Sequence, residues 1–417
     1  MAKKILLNAA QLVTCSGFAA KKGPEMGELH VIEDGAVIID NGIISRVGAT
    51  KELLPEAGDA ELIDCRGKAV LPGFVDSHTH FIFGGYRADE FSWRLSGMPY
   101  MEIMKRGGGI NATTLPTRAA ALNELKEDGR KRLASMLAFG VTTVEGKSGY
   151  GLDLETEIKQ LTAMKELNEE LPIDIAATFM GAHSVPDEYK GRTDDYVDFV
   201  IDKVLPHVAD RKLAEFCDVF CEAGVFDIEQ SRRLLLAAKN HGMKIKLHAD
   251  EIVPIGGAEL AAELSAVSAD HLLQASDKGI KMLAEKGVIA TLLPATAFSL
   301  KEPYAKARKM IDEGCALALA TDFNPGSCFT NSIPLIFALA TIYMGMSVEE
   351  AITALTINGA AAIKREDSVG SIDPGKKADL VILEHPDYHF LNYHFAVNIV
   401  ERVIKSGETV YKKAGCY

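Results

Sequence analysis

The chain has 417 residues, 47% of them apolar and 25% charged, with a formal net charge of −13. That apolar share supports a buried core and excludes a disordered chain, and seven cysteines are too sparse for a disulfide-stapled miniprotein. The acidic balance argues against nucleic acid and anionic membrane as partners, since both are held by a basic face, and leaves a small anionic substrate open.

In chain order, the first 66 residues alternate β-rich runs with turn signals. ILLNAAQLVT follows Lys3-Lys4 with the outline of a signal peptide, but Asn8 and Gln11 interrupt it and Lys21-Lys22 follow closely, so it is read as a first β-strand. HVIEDGAVIIDNGIISRVGA, with Asp34-Gly35 and Asn41-Gly42 as turns, reads as strands and hairpins. From 68 to about 364 short apolar runs alternate with amphipathic segments. Candidate strands are 69–78, 141–146, 173–183, 216–222, 244–250, 267–271, 287–294 and 316–322. Between them LETEIKQLTAMKELNEE and IEQSRRLLLAAKNHG read as helices, the second stopped by its glycine. Eight β/α units, each roughly 35 residues, predict a parallel sheet closed into a (β/α)8 barrel. Residues 323–348 carry no charge, but the dense apolar part, 334–346, falls short of the ~20 residues a bilayer span needs and predicts a buried core helix. The last fifty residues return to β-rich runs, ADLVILE and IVERVIKSGETVYK, behind an Asp373-Pro374-Gly375 turn. The predicted division is therefore a barrel over 67–364 and a small sheet unit built from 1–66 and 365–417. The cysteines at 15, 65, 217, 221, 315, 328 and 416 are scattered and odd in number, without zinc-site spacing. They read as small apolar core residues, reduced as in a cytoplasmic protein.

In a barrel of this kind the active site lies at the C-terminal ends of the strands. Those ends carry Asp76-Ser77-His78-Thr79-His80, His183, Glu222, His248-Ala249-Asp250-Glu251, Asp270-His271 and Thr321-Asp322-Phe323-Asn324, so five of the eleven histidines end barrel strands. His78 and His80 are two apart, and strand side chains alternate faces, so both can meet one ion. A lone His-x-His is weak evidence. His248 and Asp322 at the ends of two other strands strengthen it, because imidazole nitrogens with one carboxylate suit a divalent zinc or iron ion and an activated water.

LPGFVDSHTH after a β-rich start, with VGSIDPGKKADLVILE after the barrel, resembles the amidohydrolase superfamily over the whole chain. The resemblance implies a metal hydrolase whose barrel carries a small β-sandwich from both termini. Within it HTHFIFGGYRADEF, GGGI, EGKSGYGL, FMGAHSVP, KLHADE and ATDFNPGSC are similar to the branch that opens the ring of 4-imidazolone-5-propanoate in histidine breakdown. By that resemblance His78, His80, His248 and Asp322 are the metal ligands, and Glu251, His271 and Asp322 are the catalytic groups, with the principal base among the three left open. Arg87 is the implied partner of the propanoate, its planar fork matching a carboxylate. Tyr150, His183, Glu251, Asn324, Gly326 and Ser327 are the remaining implied substrate contacts, with Ser327 where many relatives carry Thr. Several binuclear members use a lysine on the fourth strand; the fourth strand here has none, which implies one catalytic metal, zinc or iron. Relatives imply a homodimer.

Gly146-Lys147-Ser148 resembles the end of a phosphate-binding loop, but the glycine needed five residues earlier is Val141. Gly107-Gly108-Gly109 follows no strand and is read instead as part of a flap in the 81–140 insertion. Two rival functions share the frame: a nucleobase deaminase, which has no need of Arg87, and a metal-free assembly protein, against which the retained ligands speak.

Overall fold

The computed structural model describes residues 3–98, 102, 103 and 106–414, so Cys416 lies outside the described residues. Strands β1 (Lys4–Val13), β2 (Val31–Asp40), β3 (Ile43–Ala49), β4 (Glu61–Asp64) and β5 (Ala69–Pro72) come first. The barrel strands follow: β6 (Phe74–Asp76), β7 (Val141–Lys147), β8 (Asp174–Ala182), β9 (Phe216–Cys221), β10 (Lys244–Ala249), β11 (Ser268–His271), β12 (Ile289–Leu292) and β13 (Leu317–Leu319). β14 (Leu380–Leu383), β15 (Val400–Lys405) and β16 (Glu408–Lys412) end the chain.

β6 to β13 pair in sequence order and in parallel, the arrangement that right-handed β/α crossovers produce. A bridge between Thr79 and Phe323 joins the first strand's end to the last and brings the sheet round into a barrel. The other eight strands form one mixed sheet, ordered β16-β15-β14-β5-β1-β2-β3, with β4 also on β1. Their period of two divides the side chains cleanly. Val70, Leu380, Ile382 and Ile404 join Leu6, Leu12, Val37 and Ile63 in a small core of the sheet's own. The alternate residues Ala69, Leu71, Val381, Leu383 and Val403 pack into the barrel's core.

The predicted strand 69–78 is two strands. Its first half pairs with β1 and β14 in the small sheet, and its second half opens the barrel beside β7. The handover is at Gly73, whose amide donates to the Asp379 carbonyl at 2.8 Å. A Cβ at Gly73 would lie 2.2 Å from Thr142 Oγ1, so only glycine lets the chain pass between the two sheets.

Helix Leu154–Glu170 starts where the Asp153 side chain accepts from the Thr156 amide, and Ile228–Asn240 starts in a capping box between Asp227 and Gln230. Gly242, with φ +79°, follows the second as predicted. The apolar segment predicted as a core helix forms Ile333–Tyr343, buried at Ile336, Phe337 and Ala340 but exposed at Ile342 and Tyr343. No helix among the described residues is long and apolar enough to cross a membrane. The six described cysteines are buried and free. The 81–140 insertion contributes helices Ala88–Leu95, Asn111–Ala119 and Leu122–Ala138, the first of which lines the mouth of the barrel.

Candidate active site

The Asp76 carboxylate accepts from the Thr321 amide at 2.9 Å and its hydroxyl at 2.7 Å, tying the first barrel strand to the end of the eighth. The Asp322 amide then donates to the His78 carbonyl at 3.0 Å, and the His80 amide to the Phe323 carbonyl at 2.8 Å. This lacing places residues some 240 positions apart in the chain around one point. Asp322 Oδ1 lies 3.5 Å from His78 Nε2 and 3.7 Å from His80 Nε2. The His248 ring stands 4.5 Å from that of His78, and the His271 ring 5.0 Å from His248.

His271 reaches this cluster by breaking the strand rule. Asp270 before it points inward onto His78 Nδ1 at 2.6 Å, so strict alternation would turn His271 outward. Instead His271 takes φ +75° and Leu272 φ +61°, which ends the strand and swings the imidazole back over the barrel. Asp250 (φ +49°) and Asp322 (φ +52°) also hold left-handed backbone at this rim. Each such residue costs on the order of 1 kcal/mol, strain that clusters at functional sites.

The donor set fits a metal ion. Nitrogen and oxygen atoms of His78, His80 and Asp322 lie within 4.8 Å of one another, as do those of His78, His248 and His271. Among the described residues His78 Nε2, His248 Nε2 and His271 Nδ1 are buried without a hydrogen-bond partner, an arrangement a folded protein avoids unless something else binds there. Burial holds His78, His80 and His248 well below the usual imidazole range, in the neutral form a metal requires. A third grouping, His78 with Glu145 and Asp270, already has lysine ammonium groups as its cations.

Those lysines belong to a charged layer beneath the imidazoles. Lys147 Nζ lies 2.8 Å from Glu145 Oε1, 2.7 Å from Asp218 Oδ2 and 3.5 Å from Asp270 Oδ2. Lys246 Nζ lies 2.6 Å from Glu145 Oε2 and 3.1 Å from the Ser77 carbonyl oxygen. All five side chains are fully buried. Burial alone would lower the Lys147 pKa, but Asp218, Glu145 and Asp270 more than reverse that and keep it charged. Asp218 Oδ2 is also 3.0 Å from His248 Nδ1, and its Oδ1 accepts from the His248 amide at 3.1 Å. The layer therefore orients two of the four predicted ligands, His78 through Asp270 and His248 through Asp218.

Above the imidazoles opens a cavity of about 610 Å³ lined by His80, Arg87, Tyr150, His183, His248, Glu251, His271, Asp322, Asn324 and Ser327 among others. His183 stacks on His80 at 4.9 Å and 16°, its Nδ1 3.1 Å from the Gly149 carbonyl oxygen, and burial lowers its pKa to about 4. Tyr150 packs edge-on against both. Its loop is held from helix Leu154–Glu170, where Glu157 accepts from the amides of Gly149, Gly151 and Leu152. Glu251 Oε1 is 3.5 Å from His271 Nδ1. Burial, then the neighbouring charge of Asp322, pushes Glu251 up to about 8, and burial pushes Asp322 up to about 7. The turn carrying Glu251 hangs on Glu222, which accepts from the Ile252 and Val253 amides.

Asn324 differs from a free substrate contact. Its Oδ1 accepts from the Gly326 and Ser327 amides, and its Nδ2 donates to the Asp322 carbonyl and Ser327 Oγ, so the side chain organises its own loop. Gly326 packs beneath Arg87, whose Nη1 lies 2.0 Å from where a Cβ would stand. Arg87 itself already grips a carboxylate, donating from Nε to Glu90 Oε2 at 2.8 Å and from Nη2 to Oε1 at 2.5 Å.

Every residue predicted for the site reaches this cavity or packs directly beneath it. The sequence reading missed Glu90, Arg94, Glu145, Lys147, Asp218 and Lys246. A signal existed for two of them, since Arg87, Glu90 and Arg94 stand at i, i+3 and i+7 and share one helix face. The charged layer showed only as charges inside apolar strands.

The pattern that describes the amidohydrolase family matches residues 69–410. A Clostridium tetani protein named imidazolonepropionase is 64% identical over 412 residues, 98% of each chain. A Parabacteroides distasonis protein of the same name is 60% identical, covering 97% of this chain and 98% of its own. Among solved structures, E. coli guanine deaminase superposes with a TM-score of 0.74 at 16% identity, covering 99% of this chain and 100% of its own. A Xanthomonas campestris adenosine deaminase with bound zinc gives 0.70 at 20% identity, covering 97% and 92%. At such identities the deaminase likeness shows the fold alone.

Proposed function

The chain belongs to the amidohydrolase family, and from that premise we propose that it is an imidazolonepropionase, hydrolysing 4-imidazolone-5-propanoate to N-formimidoyl-L-glutamate in histidine degradation. The observation that carries this reading is one cavity with a floor of unpartnered imidazoles and a carboxylate and a wall bearing arginine. The floor suits a nucleophilic water, and the wall suits a substrate with an anionic arm. Neither a neutral nucleobase nor an assembly role calls for that pair.

His78, His80, His248 and Asp322 would hold one divalent ion, zinc or iron, with His271 close enough to join them. Such an ion supplies Lewis acidity that makes water nucleophilic at neutral pH. Water adds to the ring carbonyl carbon, the carbon–nitrogen bond opens, and the departing ring nitrogen takes a proton. Asp322 accepts the proton of the water, being the carboxylate nearest both His78 Nε2 and His80 Nε2. Glu251, a buried carboxyl 3.5 Å from His271 Nδ1 in the same cavity, is placed to hydrogen-bond the ring nitrogen and pass a proton to it. His271, neutral and with Nδ1 free of hydrogen bonds, donates to the oxygen on which charge develops. Tyr150 and His183 form the wall against the ring, and Arg87, with Gly326 and Ser327, faces the propanoate. The reaction thus lies wholly in the barrel unit, which opens after Gly73, with β1–β5 and β14–β16 as its supporting sheet unit.

The reading includes a cytoplasmic homodimer. Exposed Ile342 and Tyr343 on one helix, packed against the helix bearing exposed Tyr393, suit self-association. Purified, metal-analysed protein should consume imidazolone propanoate, followed by loss of its absorbance, and form N-formimidoyl-L-glutamate. Deamination of adenine or guanine with the imidazolone left intact would overturn the assignment. Sedimentation equilibrium tests the dimer.

A further inference from the structure

We propose that Arg94 is a second cation of the anion subsite beside Arg87, and that it, more than Arg87, supplies the uncompensated positive charge there that selects a substrate with a carboxylate arm. The inference deepens the imidazolonepropionase reading and rests on it. Arg87 is bound at two nitrogens by Glu90, and Glu90 is buried and also accepts from the Gly109 amide at 2.7 Å. That pair is neutral as a unit and is already built as a bidentate clamp. Arg94 stands one helical turn beyond Glu90 on the same face and lines the same cavity. Its guanidinium has no carboxylate within 4 Å among the described residues. Among the described residues its Nε is buried without a hydrogen-bond partner, and its Nη2 makes one long contact, 3.5 Å, to the Gly326 carbonyl oxygen.

A half-buried guanidinium without an anion has lost water and gained little, and an arriving carboxylate restores that loss. Gly326 marks where the two arginines converge, with Arg87 Nη1 over its Cα and Arg94 Nη2 at its carbonyl. Arg87, Glu90 and Arg94 together carry one net positive charge, and that charge is Arg94's. Arg87 then fixes the geometry of the anion subsite, while Arg94 discriminates a carboxylate from its neutral amide. The contact of Arg94 with the Phe91 ring, 5.3 Å to the centroid, gives the alternative of a purely packing role.

Calorimetric titration with two stable ring analogues, imidazole propanoate and imidazole propanamide, separates these roles without turnover. Wild-type protein is expected to bind the propanoate at least about tenfold more tightly than the amide, as a charged hydrogen bond implies. Arg94→Gln should bind the two alike, with amide affinity and melting temperature unchanged, and Arg94→Lys should keep part of the preference. Equal losses for both ligands in Arg94→Gln, or an intact preference, would overturn the Arg94 assignment while leaving the enzyme reading in place. A wild-type protein with no preference for the carboxylate would overturn both.

Discussion

Two layers of the barrel interior, one above the other, treat polar atoms in opposite ways. In the lower, Lys147 and Lys246 are matched by Glu145, Asp218 and Asp270, with Ser268, Thr178 and the Ser77 carbonyl completing the contacts. In the upper, a few ångströms away, His78 Nε2, His248 Nε2 and His271 Nδ1 have no partner among the described residues, and the carboxyls of Glu251 and Asp322 are displaced toward neutral pH. Saturated ion networks hold a geometry; unsaturated donors in a cavity are held ready for a ligand. The lower layer is the mould and the upper layer the site, and Asp270 and Asp218 connect them through His78 and His248.

Emptying the upper layer has the largest expected effect. Asp322→Ala or His78→Ala should abolish turnover and bound metal together while the fold persists, as metal analysis and circular dichroism would show. Full metal content in Asp322→Ala would remove it from the ligand set.

Breaking the lower layer should act on stability first. Lys147→Met leaves buried carboxylates without their cation, a loss of about 3–5 kcal/mol measurable by denaturant unfolding. A change below about 1 kcal/mol would mean the layer is not a mould.

The link between layers should give an intermediate effect. Asp270→Asn keeps the shape but weakens the hold on His78 Nδ1, so metal affinity should fall about 10–100-fold by competitive chelator titration. Unchanged affinity would detach the two layers.

A smaller effect concerns pH in the metal-free protein. Glu251 is raised from 4.5 to about 8, so the folded state binds this proton more tightly than the unfolded one. Its contribution to stability is present at low pH and is lost as pH rises from about 4.5 to about 8. The melting temperature of wild-type protein relative to Glu251→Gln should therefore fall across that range, since Asp322 and Asp76, raised to about 7, titrate in both proteins; a constant difference would take Glu251 out of the pH dependence. Least of all, Arg233→Ala on the surface, which pairs with exposed Asp194 and Asp198, should cost no more than ~1 kcal/mol by the same unfolding assay.

The upper layer was largely legible in the chain because its chemistry is carried by residue type and short spacing. His78 and His80 fall on one face by strand periodicity, and the apolar runs that end in His183, His248, His271 and Asp322 mark barrel strands by length and composition. The lower layer was not legible, because Lys147 reads equally well as a loop lysine until barrel closure brings β7, β9, β10 and β11 round one interior. The 69–78 run hid its break for a similar reason: Gly73 is an ordinary glycine until Thr142 is packed against it. Arg87 read as a free clamp because sequence shows a residue's reach and not its existing partner, here Glu90.

The eightfold β/α rhythm, the two β-rich ends and the set of groups able to bind a metal and hydrolyse a ring can be read from the chain alone, since periodicity and side-chain chemistry are local properties. That His271 turns inward on a left-handed backbone, that Glu90 neutralises Arg87 and leaves Arg94 uncommitted, and that a buried ion layer orients the imidazoles emerge when the barrel is assembled. Those depend on distances between segments far apart in the chain, and barrel closure sets them.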